Sequence, residues 1–448
     1  MAEKTACEQS FKLGSENESE GDHSSNEECF ELQKEDELHI LMGEKSVDVK
    51  IELLSGQAEI YGAEMMLNKK YTLSPLSSIS VFTWHGCVIN IKGIPEFAYV
   101  KKDTDMILKL TLHASLEERR LRAENENKIG PTILIVGPDK KDKSSLCRFL
   151  FNYAIRMKRQ PMFVDLDIGE NAICIPNSVG ILSAKNPVDF ISGFDNEALQ
   201  VYHFGYTCIL NNIEFYCLLL RKLAFNLRSH MSQADQNIKP SGVIINACDG
   251  EILEYGPNSI TLVTEHFEID ILCVLENESL YSQVKKTKPS SMEILFFPKV
   301  DGDDFETIHK TKREFFWKQS QETSIREYFF GTTSSLKPYQ FVVQYSDIQV
   351  FKVVPVHSFM RVFSEIKEND VKLMRIELSS ELIDQVLGLS SADDVTEDFM
   401  YKHVVGFICV IKVDVEKNTI TVVSPQPPPL SKKILLLGYT KLNVSQCA

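Results

Sequence analysis

Two hydrophobic periods alternate along the chain, and the places where the period changes divide it. In "SVDVKIELLSGQAEIYG", Val47, Val49, Ile51 and Leu53 fall on alternate positions, the spacing of a half-buried strand. Ser55-Gly56 marks a turn, after which Ala58 and Ile60 resume the alternation. "ISVFTWHGCVINIKG" predicts two more short strands, so the stretch from Phe30 to about Lys101 reads as an antiparallel β domain. The charged stretch "ASLEERRLRAENENK" predicts a helix leading away from it, ended by Gly130-Pro131.

Beyond that point continuous apolar runs alternate with helical stretches. "TILIV", "PMFVDLD", "GVIINA", "IDILCVL" and "MEILFFP" predict strands of a parallel sheet with helices on both faces. From about Lys337 strand character returns. "HVVGFICVIKVDVEKNTITVV" predicts a hairpin turning at Glu416-Lys417-Asn418, and "PQPPPL" breaks the chain before a final strand, "KILLLG". The fold class read from these periods is α/β. An N-terminal β-sandwich-like domain with a linker helix spans 30–125, a central, mostly parallel domain 126–334, and a small C-terminal β-rich domain 335–448.

Residues 1–29 are rich in Ser, Glu, Asn and Gly and read as a disordered acidic tail, because too little apolar surface is present to offset ordering entropy. The chain of 448 residues is 43% hydrophobic and 25% charged, as a soluble globular protein is. A formal net charge of −15 argues against a broad basic surface for nucleic acid and leaves only a local groove or an indirect contact. Eleven cysteines without a C-x-x-C pair predict reduced thiols rather than a metal finger. No apolar run suits a signal peptide or a membrane span, so an intracellular protein is expected.

The candidate chemistry lies in "TILIVGPDKKDKSSLC", a strand, a loop and the start of a helix. The phosphate-cradling motif G-x-x-x-x-G-K-[ST] is met at Gly137, Lys143 and Ser144, but Asp142 replaces the second glycine. In such a loop, backbone N–H groups and the helix N-terminus surround phosphate, the lysine reaches the outer phosphates and the hydroxyl binds Mg²⁺. Two readings of Asp142 stand. In the first, it caps the helix, pairs with Lys143 and takes the place of the anion. In the second, Lys140 and Lys141 offset its charge and the loop still works; the first is preferred. Asp165 and Asp167, ending "MFVDLD", stand where a second parallel strand would deliver acids to the loop.

The runs "FELQKEDEL", "ELLSGQAEIYG", "VFTWHGC", "LCRFLFNYAIR", "LDIG", "VYHFG" and "IREYFFG" make the chain resemble the CLP-one type RNA 5′-hydroxyl kinases and cleavage factor subunits, from Phe30 to about Gly438. The resemblance implies a RecA-like P-loop NTPase domain between two β domains, with ATP and Mg²⁺ as cofactors. It implies Asp167 as general base and Lys143 as the phosphate-holding lysine, with Mg²⁺ on Ser144. The cofactor site it implies comprises Glu37, Ser78, Lys140, Lys141, Asp142, Lys143, Ser144 and Ser145.

Departures from the family pattern cluster where chemistry belongs. Besides Asp142, Ser78 stands for a nucleotide-contacting lysine and Glu170 for a glutamine. Cys208-Ile209-Leu210 stands for T-P-G, and Ala247-Cys248-Asp249-Gly250 for a T-x-G-W clasp. The nearest basic cluster for a lid is Lys310 to Arg313. The expectation is a nuclear subunit of the pre-mRNA 3′-end cleavage and polyadenylation machinery, scaffold-like and catalytically impaired. It would dock a large cleavage factor II partner, associate with the tRNA splicing endonuclease complex and meet RNA mainly through the assembly. The rival expectation is an active ATP-dependent polyribonucleotide 5′-hydroxyl kinase.

Overall fold

The computed structural model describes residues 27–444, except 44–45, 47–48, 76, 139, 170, 192, 195–198, 249–259, 261–262, 265, 288, 299–309, 332–335, 357–365 and 396–397. The N-terminal domain is a sandwich of two antiparallel sheets. One runs in the order Glu27–Leu32, Cys87–Lys92, Lys50–Gly56, Lys70–Thr72, and the other is five-stranded around Ser78–Phe82 and Glu37–Leu41. Val49, Ile51 and Leu53 are buried on the inner face, as their alternation requires, whereas Val47 lies outside the described residues. Ser55 and Gly56 do not turn the chain. They stay paired with Val88 and Cys87 after a register shift that follows Leu53. The bulge falls at Leu54, and the strand ends at Gly56, whose φ is positive (+81°).

The linker helix α1 (Met106–Asn125) starts well before Ala114 and does not lead away from the body. Its Arg120, 1% exposed, donates to Ser241 O at 2.9 Å, and Arg159 of the central domain bridges Glu117 at 2.6 Å and Glu124 at 2.8 Å. Charges that look solvated in the sequence therefore pin the helix to the central domain.

The five predicted parallel strands form one sheet in the order Glu293–Phe297, Ile271–Leu275, Thr132–Val136, Val243–Asn246, Met162–Asp165. Alternate residues of "TILIV" enter opposite cores: Ile133 and Ile135 pack towards α2 (Lys140–Arg156), Leu134 and Val136 towards α3 (Ile213–Gln233). Burial on both faces is why these strands read as unbroken apolar runs.

Two antiparallel strands that the periodicity did not reveal, Ser178–Ser183 and Leu199–His203, extend the sheet. Through Val201 opposite Val404 it continues into the C-terminal strands, making fourteen strands among the described residues. The predicted hairpin is present as Val404–Asp414 and Thr419–Ser424, with Asn418 at φ +52° in its turn. The last strand, Ile434–Lys441, is fastened to the central domain. Asn177 Nδ2 donates to Thr440 Oγ1 at 2.8 Å, and Tyr439 N donates to Gly205 O at 2.7 Å. Two further helices, α4 (Glu278–Thr287) and α5 (Lys310–Phe330), complete the elements that bear on the site.

Candidate functional site

The loop after Thr132–Val136 opens at the carboxyl end of the parallel strands, where α/β sheets place their ligands. Gly137 is required there, because a Cβ would lie 2.8 Å from the Leu275 Cβ of the neighbouring strand. Helix α2 begins at Lys140, so Asp142 sits in its first turn and not at the N-cap position, contrary to the capping expectation. It still complements the positive end of the helix dipole. Lys143 is fully buried, and its Nζ donates to Gly137 O at 3.3 Å. Ser144 Oγ is buried with no hydrogen-bond partner among the described residues. Buried hydroxyls are normally satisfied, so this one is left available to a ligand.

Asp165 and Asp167 are both fully buried rather than part of a solvated turn. Asp165 accepts hydrogen bonds from Ala172 N at 2.7 Å, Asp167 N at 3.0 Å and Asn246 Nδ2 at 3.0 Å. Burial, then the neighbouring Asp167 charge, pushes its pKa up to about 7 despite those donors. Asp167 Oδ1 accepts from Gly169 N at 2.8 Å, and Gln321 of α5 donates to Gly169 O at 2.8 Å. The turn carrying the acids is thus tied to α5.

Beside the loop, a cavity of about 140 Å³ lies between the N-terminal domain, α1 and α2. The N-terminal sheet contributes Glu37, His39, Ser80 and Phe82 to its walls. Helix α1 contributes Lys109, α2 contributes Asp142, Ser145 and Phe149, and the strand ends contribute Leu275 and Phe297. Burial alone would raise the Glu37 pKa, but His39 at 3.5 Å, Lys109 and Lys101 hold it down to about 2. Lys109 pairs with Asp105 at 2.7 Å. Burial opposes its charge, but Asp105, Glu37 and Asp142 outweigh that and raise its pKa. Among the described residues the walls carry five acids against two lysines.

The fold therefore brings Glu37, Asp142 and Ser145 together on the cleft, with Lys143 and Ser144 in the same turn of α2. Ser78 shares a strand face with Ser80 and Phe82 but does not line the cleft; its carbonyl accepts from Tyr61 Oη at 3.0 Å. Lys140 and Lys141 open α2 and Lys310 to Arg313 open α5, and the side chains of both groups lie outside the described residues, as do Glu170, Asp249 and Gly250. Sequence reasoning missed His39 and Lys109. Their signals were present: an i, i+2 pair with Glu37 on one strand, and an i, i+4 pair with Asp105 on one helix.

The cleft keeps its shape because α2 is clamped to the N-terminal domain. Tyr153 Oη donates to Glu59 Oε1 at 2.7 Å, Arg156 Nη1 to Glu59 Oε2 at 2.8 Å, and Asn152 Nδ2 to Tyr61 O at 2.8 Å.

Comparison with known proteins agrees with this architecture. Residues 31–123 match the N-terminal beta-sandwich domain of polyadenylation factor, 137–331 the mRNA cleavage and polyadenylation factor CLP1 P-loop, and 336–442 the pre-mRNA cleavage complex II protein Clp1. The polyribonucleotide 5′-hydroxyl-kinase Clp1 of Homo sapiens is 37% identical over 414 residues, covering 91% of this chain and 95% of that one. The protein CLP1 homolog of Anopheles gambiae is 36% identical over 413 residues, covering 91% and 96%. A solved structure of Clp1p with Pcf11p, concerned with ATP loss in a glycine-to-arginine point mutant, superposes with a TM-score of 0.79 at 22% identity, covering 94% of this chain and 99% of that one. With its three domains matched in order and its relatives aligned almost end to end, the chain belongs to the Clp1 family.

Proposed function

We propose that this chain is a nuclear, scaffold-like subunit of the pre-mRNA 3′-end cleavage and polyadenylation machinery, with phosphoryl transfer impaired. The observation that carries the second half is Asp142, in the first turn of α2 and on the wall of the cleft. Gly137, the buried Ser144 hydroxyl and the Asp165–Asn246 pair fit a nucleotide with Mg²⁺, but the Asp142 carboxylate does not fit a polyphosphate. At about 4 Å from a phosphate charge, a carboxylate costs about 4 kcal/mol at an effective dielectric near 20. That is close to a thousandfold in affinity, reduced by whatever Lys109 offsets.

The similar Clp1p loses ATP when one glycine becomes arginine, and here an acid stands at a motif glycine. The replaced T-P-G and T-x-G-W elements, at Cys208-Ile209-Leu210 and Ala247-Cys248-Asp249-Gly250, remove the RNA-facing side of the family pattern as well. The sheet shared with the C-terminal domain and the Glu59 clamp favour a rigid body suited to docking. A large cleavage factor partner, of the kind Clp1p has in Pcf11p, is its expected ligand, with the tRNA splicing endonuclease assembly a further one and RNA reached through the complex.

Co-precipitation of the tagged chain from nuclear extract tests the assignment: 3′-end cleavage factors should be recovered equally with wild type and Lys143→Ala. Recovery that depends on Lys143, or of no 3′-end factor at all, would overturn it. The second reading, an active RNA 5′-hydroxyl kinase, is favoured by the buried Lys143, the buried Ser144 hydroxyl and the kinase relatives.

A further inference from the structure

The strand Lys50–Gly56 of the N-terminal sandwich pairs with Cys87–Lys92 up to Leu53 and again from Ser55. Leu54, at the bulge between them, has no cross-strand partner and is 39% exposed. Bulges re-aim side chains in this way. Beside it lie Met66 and Leu67, 63% and 56% exposed. They are brought there by the bridge between Leu67 and Leu53 and by Asn68 N, which donates to Leu53 O at 2.9 Å. Single exposed apolar side chains are ordinary, but a contiguous group with a polar rim marks a docking surface. Here the rim is basic. Lys69 rides over the Tyr71 ring and Lys70 stands opposite Glu52; both lysines are exposed, and neither forms an ion pair among the described residues.

We propose that this surface is covered by the chain's own residues 1–26, with Phe11 and Leu13 on the Leu54, Met66 and Leu67 side chains and the acids that follow them facing Lys69 and Lys70. The segment joins the fold at Glu27, in the same sheet: Glu27 pairs with Lys92, and Lys92 with Lys50, four residues before Leu54. Two strand spacings across and four residues along put Leu54 about 17 Å from Glu27. A random-coil stretch as long as residues 14–26 spans about 20 Å, so Leu13 reaches the surface without strain. Charge selects the same occupant. Glu16, Glu18, Glu20 and Asp22 follow Leu13 with no lysine among them, which complements the basic rim. A second copy of the chain, at net charge −15 like the first, is repelled. Any other partner of this surface must first displace residues 1–26.

Methyl-methionine NMR of the full chain with a soluble gadolinium chelate reads the exposure of Met66. Met66→Leu identifies its signal, and the buried Met42 is the reference. Covalent linkage holds residues 1–26 at a millimolar effective concentration, so an affinity of even about 1 mM covers the surface half the time. Phe11→Ser/Leu13→Ser should therefore raise the relaxation of the Met66 methyl at least about twofold and leave Met42 unchanged, and Lys69→Glu/Lys70→Glu should act in the same direction. Photoreactive benzoylphenylalanine in place of Phe11 should crosslink within the chain to the peptide that holds Met66 and Leu67. Met66 relaxation unchanged by Phe11→Ser/Leu13→Ser, or crosslinks only to other peptides or between two chains, would overturn the proposal. None of these residues lines the cleft, so the result is independent of the nucleotide reading.

Discussion

Replacing Glu59 should loosen the N-terminal domain from α2, and the structure sets the size of the effect. Glu59 has a side chain only 5% exposed and accepts from Tyr153 at 2.7 Å and Arg156 at 2.8 Å. Hydrogen bonds to a charged group contribute about 1.5–3 kcal/mol each. Arg156 is a third exposed and keeps Glu64 at 2.7 Å, so its bond belongs at or below the low end of that range. Tyr153 would keep only the donation from Trp84 Nε1 at 3.0 Å. Glu59→Ala is therefore expected to cost about 3 kcal/mol, and Glu59→Gln, which preserves an acceptor for Tyr153, about half as much. Guanidinium unfolding of wild type, both Glu59 variants, Arg156→Met and the Glu59→Ala/Arg156→Met double variant measures this. Limited proteolysis between residues 101 and 131 reports on docking directly. A loss below about 1 kcal/mol for Glu59→Ala, or strict additivity with Arg156→Met, would refute the clamp.

Other positions give independent checks. Burial of His203 lowers its pKa to about 4, so between about pH 4 and 6.5 the folded chain binds fewer protons than the unfolded one. Stability should fall as pH drops through that window, by up to about 3 kcal/mol from this group; His203→Leu should flatten the slope of unfolding midpoint against pH, and an unchanged slope would contradict it. A Cβ on Gly438 would lie 2.5 Å from Gly205 O, so Gly438→Ala should cost at least about 1–3 kcal/mol in chemical unfolding by prising the last strand from the central domain. Ser144→Ala removes a buried hydroxyl that has no hydrogen-bond partner among the described residues. In ligand-free protein it should leave thermal stability unchanged or slightly raised, and a clear loss would mean the hydroxyl is satisfied there.

The legible parts of the fold were those governed by local periodicity. Five parallel strands buried on both faces appear as apolar runs, and the hairpin at Glu416-Lys417-Asn418 carries its turn residues openly. Ser178–Ser183 and Leu199–His203 stayed hidden because short strands carrying Ser, Gly, Gln and His lack a clean period. The turn read at Ser55-Gly56 is paired strand just after a bulge at Leu54, a distinction set by the partner strand and not by the residues. In the site, the strand-loop-helix at Gly137 and the acids Asp165, Asp167 and Glu37 were singled out from motif and resemblance; the structure puts Glu37 on the cleft and buries Asp165 and Asp167. Lys109 was missed although its nearest partner, Asp105, stands four residues before it; Glu37 and Asp142 are brought to it only by the fold.

The central claim is that the loop at Asp142 shapes the strand-to-helix turn without supporting turnover. Transfer of labelled γ-phosphate from ATP to a 5′-hydroxyl oligoribonucleotide, with wild type and Lys143→Ala compared at equal concentration, tests it most directly. The account predicts that the two proteins are indistinguishable and at background. Transfer by the wild type that Lys143→Ala abolishes would contradict it and establish the kinase reading.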